Sequence, residues 1–398
     1  MSGDALLHLL LALAAVIALG QILARLLALA GQPPVIGEVA AGLLLGPSLI
    51  GATASARILP PDVAPLLGMV AQLGVILYMF IVGLDLHLDE LKAQARVTFA
   101  TSAASIVVPF VLGAALAVYL YPRVSLPDVP IVTFALFMGV AMSITAFPVL
   151  ARLLSDWGLT RTELGVVALS AAAVGDVLAW CLLAIVVGIA HAEPGSATKV
   201  ALGAMAYIGV MLIVARPLMQ RYVSRWNPSS PYGVAAVLVA LLLSAAATEA
   251  IGIHAIFGAF LLGAIVPHDS RVASALGTQM RDLVTILLLP AFFAFTGMHT
   301  RIDLLSGAGD WLICALIIVV ATAGKFAGAF VAGRATGMRG RDAAMLGALM
   351  NTRGLMELIV LNIGLELGII SPRVFAMMVL MALVTTMSTA PLLKVFQR

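Results

Sequence analysis

Apolar residues in this chain run in long blocks instead of the two-residue or 3.6-residue alternation of a water-facing surface. Thirteen blocks approach the roughly 20 residues a helix needs to cross a hydrocarbon core. They lie near 5–28, 34–50, 63–84, 97–121, 130–154, 163–190, 198–219, 232–250, 252–267, 280–298, 309–333, 342–365 and 372–395. Polar and basic residues collect in the short gaps between them. The pattern predicts an all-α integral membrane protein with about 13 transmembrane helices. The first block has neither a basic leader nor a clear small-residue cleavage site, and reads as a retained span.

Thirteen spans put the two termini on opposite sides, and basic residues choose the side. With the N-terminus outside, the inward loops and C-terminal tail hold 15 Lys and Arg, from Arg25 to Arg398. The outward loops hold five: Arg57, Arg123, Lys199, Arg301 and Arg373. Only Lys325 and Arg353 fall deep inside spans, away from their ends. The expected topology is therefore N-terminus outside and C-terminus cytoplasmic.

Composition narrows the class. Of 398 residues, 62% are apolar and 10% charged, against about 25% charged in soluble domains. The 36 glycines suit close helix packing in a bilayer. A net charge of +3 gives no footing for nucleic acid, and two cysteines and six histidines without HExxH, CxxC or P-loop spacing give none for a metal centre or a cofactor. A soluble enzyme is excluded. An intramembrane enzyme would need companions for His8 or His254, and neither has an acid at useful spacing.

The halves echo each other. Residues 36–47, IGEVAAGLLLGP, resemble 257–267, FGAFLLGAIVP, and 83–89, GLDLHLD, resemble 297–303, GMHTRID, at offsets of 221 and 214. Both pairs match a span to the seventh after it, so the copies run in opposite directions. Inverted repeats are the architecture of secondary transporters.

Ionisable groups at membrane depth are costly and mark function by default. Asp176 sits near the centre of its span in AAAVGDVLAW, with no basic residue within a turn. A lone carboxylate there can be neutralised by a proton or by a cation, the elementary requirement for exchange; the alternative is a structural Asp bonded to another helix. In SITAFPVLAR, Pro148 interrupts the preceding span and frees backbone oxygens near Ser143, Ile144 and Thr145, beside two hydroxyls. Such oxygens with a nearby carboxylate make a site for a hard monovalent ion. A second break falls at MNTRGLME, where Asn351, Thr352 and Gly354 weaken the helix. Arg353 and Glu357, four apart, can pair and balance helix ends. Lys325 can pair with Asp176, balance the helix ends, or carry a proton itself. Glu38, near a span end, reads as a surface or interface residue.

These segments resemble the monovalent cation:proton antiporter-2 family: SITAFPVLARLL followed by AAAVGDVLAW, with PPVIGEVAAGLLLGP, GLDLHLDEL, IHAIFGAFLLGAIVP, a GK in span 11, and NTRGLMELIVLNIGLELGII. The resemblance covers nearly the whole chain in order. It implies a homodimer with two crossing broken helices, a scaffold of 1–95 and 229–305, a mobile core of 96–195 and 306–398, and a linker helix at 196–228. The core would move as an elevator against the scaffold. Position by position, Asp176 is implied as the cation- and proton-binding carboxylate, with Thr145 and Ser143 lining the site. Lys325 matches a basic residue that pairs, in relatives with two adjacent acids, with the first of them. Here that first position is Gly175 and not Asp, Asn or Gln. One acid implies electroneutral exchange of Na⁺ or K⁺ for H⁺ across a prokaryotic inner membrane. The alternatives are a gated potassium efflux pathway needing a separate regulatory subunit, since no nucleotide-binding regulatory domain is expected after Arg398, or a non-transporting sensor.

Overall fold

The computed structural model describes residues 3–58, 60, 63–85, 95–190, 197–223, 231–267 and 270–397, and its regular elements are all helical. The first helices are α1 (Gly3–Leu29), α2 (Pro34–Leu45), α3 (Pro47–Ile50), α4 (Ala52–Ile58), α5 (Ala64–Leu84) and α6 (Ala95–Val124). Next come α7 (Ile131–Ser143), α8 (Phe147–Asp156), α9 (Glu163–Ala190), α10 (Ala197–Val210), α11 (Arg216–Val223), α12 (Pro231–Ile251) and α13 (Ala255–Ile265). The last are α14 (Arg271–Leu283), α15 (Leu289–His299), α16 (Ala308–Ala335), α17 (Gly340–Met350), α18 (Leu355–Glu366) and α19 (Pro372–Gln397).

Ten helical runs of 20 to 32 residues are long and apolar enough to span a bilayer. The pair α17–α18, bent by 43°, makes an eleventh if it is one span. The blocks at 34–50 and 252–267 yield shorter helices, α2 with 12 residues and α13 with 11. Their stops are local. Gly46 is extended (φ −69°, ψ 161°) ahead of Pro47, which cannot donate back into the turn. Gly252 takes φ 92°, a left-handed conformation that favours glycine, so α13 cannot start before His254 caps it. By length and composition the described residues therefore hold ten or eleven spans where thirteen were expected. Many outward-facing side chains are large and apolar, such as Phe99, Ile213, Leu243 and Leu312, each 65–76% exposed. Lipid-facing helices look like this, because their backbone is satisfied internally.

Packing divides the chain into two compact units. In the first (Met1–Pro61, Asp89–Leu183, Phe293–Arg398), α6 packs on both α7 and α16, and α16, α17 and α19 pack together. Leu150, Leu154, Val167, Ala168, Leu346 and Leu349 form a buried apolar cluster among α8, α9 and α17. In the second unit (Asp62–Leu88, Ala184–Phe292), α5 and α12 pack on α13. Two five-residue π-helical stretches, Met211–Ala215 and Val284–Leu288, each end two residues before a proline, Pro217 and Pro290; the missing proline N–H disturbs the preceding turn.

Two crossings, one inside each unit, leave room for no side chain. A Cβ on Gly42 would stand 2.1 Å from Phe293 O, and one on Gly297 would stand 2.0 Å from Gly42 O. In the second unit, a Cβ on Gly83 would lie 2.3 Å from Phe260 O, and one on Gly263 would lie 2.2 Å from Phe80 O. The obstacles are backbone atoms, which cannot swing away as a side chain would.

Candidate functional site: two interrupted helices and a lone carboxylate

α7 stops at Ser143 and α8 begins at Phe147, with Ile144 (φ −68°, ψ 138°) and Ala146 (φ −81°, ψ 92°) extended between them. Pro148 is not in the break itself. It is the second residue of α8, where a missing N–H costs nothing because the first turn has no partner to donate to. Across from it, Asn351–Gly354 separate α17 from α18. The two breaks are bonded to each other: Ala146 N–H donates to Thr352 O at 3.0 Å, and the Thr145 hydroxyl donates to Met350 O at 3.2 Å.

An interrupted helix exposes its last carbonyls, and the end carries a partial negative charge. Here the chain's own cations cover that end of α7. Arg353 donates from Nη1 to Ala141 O at 3.0 Å and from Nη2 to Met142 O at 2.7 Å. Lys325 on α16 donates to Ser143 O, to Ser105 O at 2.9 Å and to Thr145 Oγ1 at 2.6 Å. An ammonium has three N–H bonds to give, and all three are given. Of the backbone oxygens near Ser143, Ile144 and Thr145 that the sequence offered to an ion, Ser143 O is thus occupied by a side-chain donor, as are Ala141 O and Met142 O before it.

Arg353 and Glu357 form an ion pair of 2.9 Å with both side chains at 0% exposure. Burying two charges is expensive, and the guanidinium offsets part of the cost through Glu357 and two carbonyls together, with Arg353 Nε and Glu357 Oε1 left without a partner. The Arg353 backbone is held as well: its N–H donates to Thr386 Oγ1 at 2.9 Å, and that hydroxyl is 2.8 Å from Arg353 O. The Ser143 hydroxyl is engaged within its own neighbourhood, 2.6 Å from Gly139 O and 3.2 Å from Ile106 O.

Asp176 on α9 differs from all of these. It is 3% exposed, and neither carboxylate oxygen has a hydrogen-bond partner. The Phe147 backbone N–H, at the start of α8, is turned toward the carboxylate without completing a hydrogen bond to either oxygen. Helix N-termini favour anions. Lys325 is near enough to act on Asp176 through its charge, yet forms no ion pair with it within 4 Å. Its donors are instead spent on Ser105 O, Ser143 O and Thr145 Oγ1. Next to Asp176, a Cβ on Gly175 would meet nothing closer than Ile106 Cδ1 at 3.9 Å. Position 175 therefore faces the Ile106 side chain of α6 and has room for the side chain it lacks.

The structure brings Ser143, Thr145, Lys325, Asn351, Arg353, Gly354 and Glu357 to one crossing, with Asp176 beside the restart of α8. Sequence reading missed Ser105, which serves through its backbone oxygen and so has no signature in its side chain. It also missed Thr386. A signal was present there: Thr385, Thr386 and Thr389 are three hydroxyls within an apolar span, and all are buried.

Residues 11–395 match the family model described as "Sodium/hydrogen exchanger, transmembrane". The chain is 42% identical over 400 residues to Na(+)/H(+) antiporter NhaS4 of Synechocystis sp., covering 98% of each protein. It is 40% identical to Cation/H(+) antiporter 20 of Arabidopsis thaliana, covering 95% of this chain and 47% of that one. It is 34% identical to K(+)/H(+) antiporter 1 of Saccharomyces cerevisiae, covering 91% and 43%. The chain thus spans about half the length of these plant and yeast relatives. In fold it is similar to the sodium proton antiporter MjNhaP1 of Methanocaldococcus jannaschii, with a TM-score of 0.72 over 99% of both chains at 14% identity. The match over nearly the whole chain, with a full-length relative at this identity, places the chain in the sodium/hydrogen exchanger family of monovalent cation:proton antiporters, a family of transporters and not of enzymes.

Proposed function

We propose that the chain is a secondary antiporter that exchanges Na⁺ or K⁺ for H⁺, with Asp176 as the shared binding group. One observation carries the reading: a carboxylate at 3% exposure with both oxygens unpartnered, beside a crossing where Lys325, Arg353 and Glu357 are each hydrogen-bonded. A buried carboxylate left alone is costly, and a proton or a dehydrated cation relieves that cost in turn. Thr145 and Ser143 line the site, and Lys325 and Arg353 hold its frame by capping α7.

With one acid and Lys325 bound to oxygens instead of to a second carboxylate, each turnover moves one proton against one monovalent cation. Exchange is therefore electroneutral. Alternating exposure of Asp176 would come from an elevator movement of the core, 96–195 and 306–398, against the scaffold of 1–95 and 229–305, with 196–228 as the linker. An inverted repeat is supported by the glycine crossings. The sequence offsets carry Gly42 to Gly263 and Gly83 to Gly297, and the contact of Gly42 with Gly297 is thereby carried onto the contact of Gly263 with Gly83. We further propose a homodimer in a prokaryotic inner membrane, N-terminus outside and C-terminus cytoplasmic.

The test is purified protein in liposomes with an inside-acid pH gradient and a trapped pH dye. Na⁺ or K⁺ should dissipate the gradient, choline should not, and Asp176→Asn should abolish the response. Cation flux that proceeds without proton movement would replace this reading with a gated cation pathway. No flux of either kind would leave the sensor.

A further inference from the structure

Asn351 is the second side chain at the crossing without a partner. It is 1% exposed, and neither its Oδ1 nor its Nδ2 meets a hydrogen-bond partner. Its place is fixed from both sides. Met350 O receives the Thr145 hydroxyl and Thr352 O receives the Ala146 N–H. The Asn351 backbone therefore lies against residues 145–146. The next residue is Phe147, whose N–H is turned toward Asp176.

Two ordinary reasons for an Asn at a helix end do not hold here. Asn is favoured there when the residue must be left-handed, but Asn351 has φ −80° and ψ 3°, which any residue adopts. Nor does its carboxamide cap an orphan carbonyl or amide, since it bonds to nothing. A buried carboxamide with four unmet hydrogen-bonding positions calls for an explanation. Its neighbours in the break are engaged: Thr352 Oγ1 donates to Leu349 O at 2.5 Å, and the Arg353 N–H and carbonyl both meet Thr386.

We propose that Asn351 is a ligand of the transported cation, its Oδ1 supplying a neutral oxygen alongside the Asp176 carboxylate. This rests on the reading of Asp176 as the exchanging group. The carbonyls of α7 are taken by Lys325 and Arg353, and Gly175 offers no side chain. The amide oxygen of Asn351 is then the uncharged side-chain acceptor at the crossing with no competing bond. A hard monovalent cation is held by oxygens, and the number and placement of those oxygens decide which cation fits. Asn351 accordingly sets affinity and the preference among Li⁺, Na⁺ and K⁺, while Asp176 sets the coupling to protons.

The experiment compares wild type, Asn351→Ala, Asn351→Asp and Asp176→Asn in two assays. One is cation-driven dissipation of a pH gradient in liposomes; the other is cation-dependent thermal stabilisation of the purified protein, with choline as reference. Asn351→Ala should raise the half-saturating concentration of the preferred cation about tenfold in both assays. The rise in half-saturation should exceed any fall in its maximal exchange rate, and its preference among the three ions should flatten. Asn351→Asp, which keeps Oδ1, should retain the preference order. A purely structural Asn351 would instead lower the melting temperature in choline and the rate for every ion alike, with half-saturation unchanged, and that result overturns the proposal. If wild type exchanges and Asp176→Asn does not, while Asn351→Ala matches wild type in concentration dependence, this inference falls and the antiport reading stands. If wild type neither exchanges cations nor is stabilised by them, both fall.

Discussion

Arg353 and Glu357 show what buried charge demands at the scale of a residue. Both are at 0% exposure, where removing one member of a pair leaves the other uncompensated and costs roughly 3–5 kcal/mol. Glu357→Ala is expected to lower the melting temperature in detergent sharply, and Glu357→Gln, which keeps an acceptor for Nη1, to lower it less. Arg353→Lys should fail to rescue, because a single ammonium cannot span Ala141 O, Met142 O and Glu357 as a planar fork does. Replacing the pair together, Arg353→Met with Glu357→Leu, should remain destabilised, since the α7 carbonyls would still lose their donors. Full recovery of melting temperature in that double variant would mean that capping α7 contributes little. Asp176 behaves differently because it is unpartnered. If protons and cations compete for it, as proposed, the half-saturating cation concentration should rise as pH falls. A half-saturation independent of pH would separate proton binding from cation binding and sink the single-site cycle.

At the scale of elements, the breaks are held by tertiary bonds more than by the residues usually blamed for them. Pro148 lies in the first turn of α8 and not in the gap. Pro148→Ala is therefore expected to cost only about 0.4–1 kcal/mol, the value of a compatible proline acting on the unfolded chain, and to leave exchange intact. The glycine crossings are less forgiving. Gly42→Val and Gly263→Val each drive a side chain into a carbonyl little more than 2 Å from the new Cβ. Both should abolish monodisperse protein on size-exclusion chromatography. Gly354→Ala meets Val149 Cγ2 at 2.7 Å, a methyl of a buried side chain that is stiff at χ1 in a helix, and should lower the melting temperature, though less than the two valine variants.

For the whole molecule, the proposed electroneutral cycle depends on the vacancy at position 175. The space beside Gly175 accepts a side chain next to Asp176, which Lys325 is near enough to act on through its charge. Gly175→Asp would place a second carboxylate where it can draw Lys325 off its carbonyls. The expected outcome is that wild-type exchange ignores an imposed membrane voltage, whereas the Asp variant responds to one. Transport by wild type driven by voltage alone, without an ion gradient, would end the electroneutral reading.

The apolar blocks, the buried charges Asp176, Lys325, Arg353 and Glu357, and the spacing of the last two could all be read from letters, because hydropathy and helical period are local properties. So could the regions of both breaks, marked by proline, glycine and asparagine. The helix ends at Gly46 and Gly252 were legible only as residues, not as stops that shorten α2 and α13, because a backbone angle decides them. What only the tertiary structure decided is where the charges go. Lys325 and Arg353 reach the end of one helix from 182 and 212 residues away in sequence, and their acceptors are backbone oxygens, which every residue carries and no letter distinguishes. For the same reason Asp176 and Asn351 could be named from the sequence, but that no polar atom of either side chain meets a hydrogen-bond partner could not.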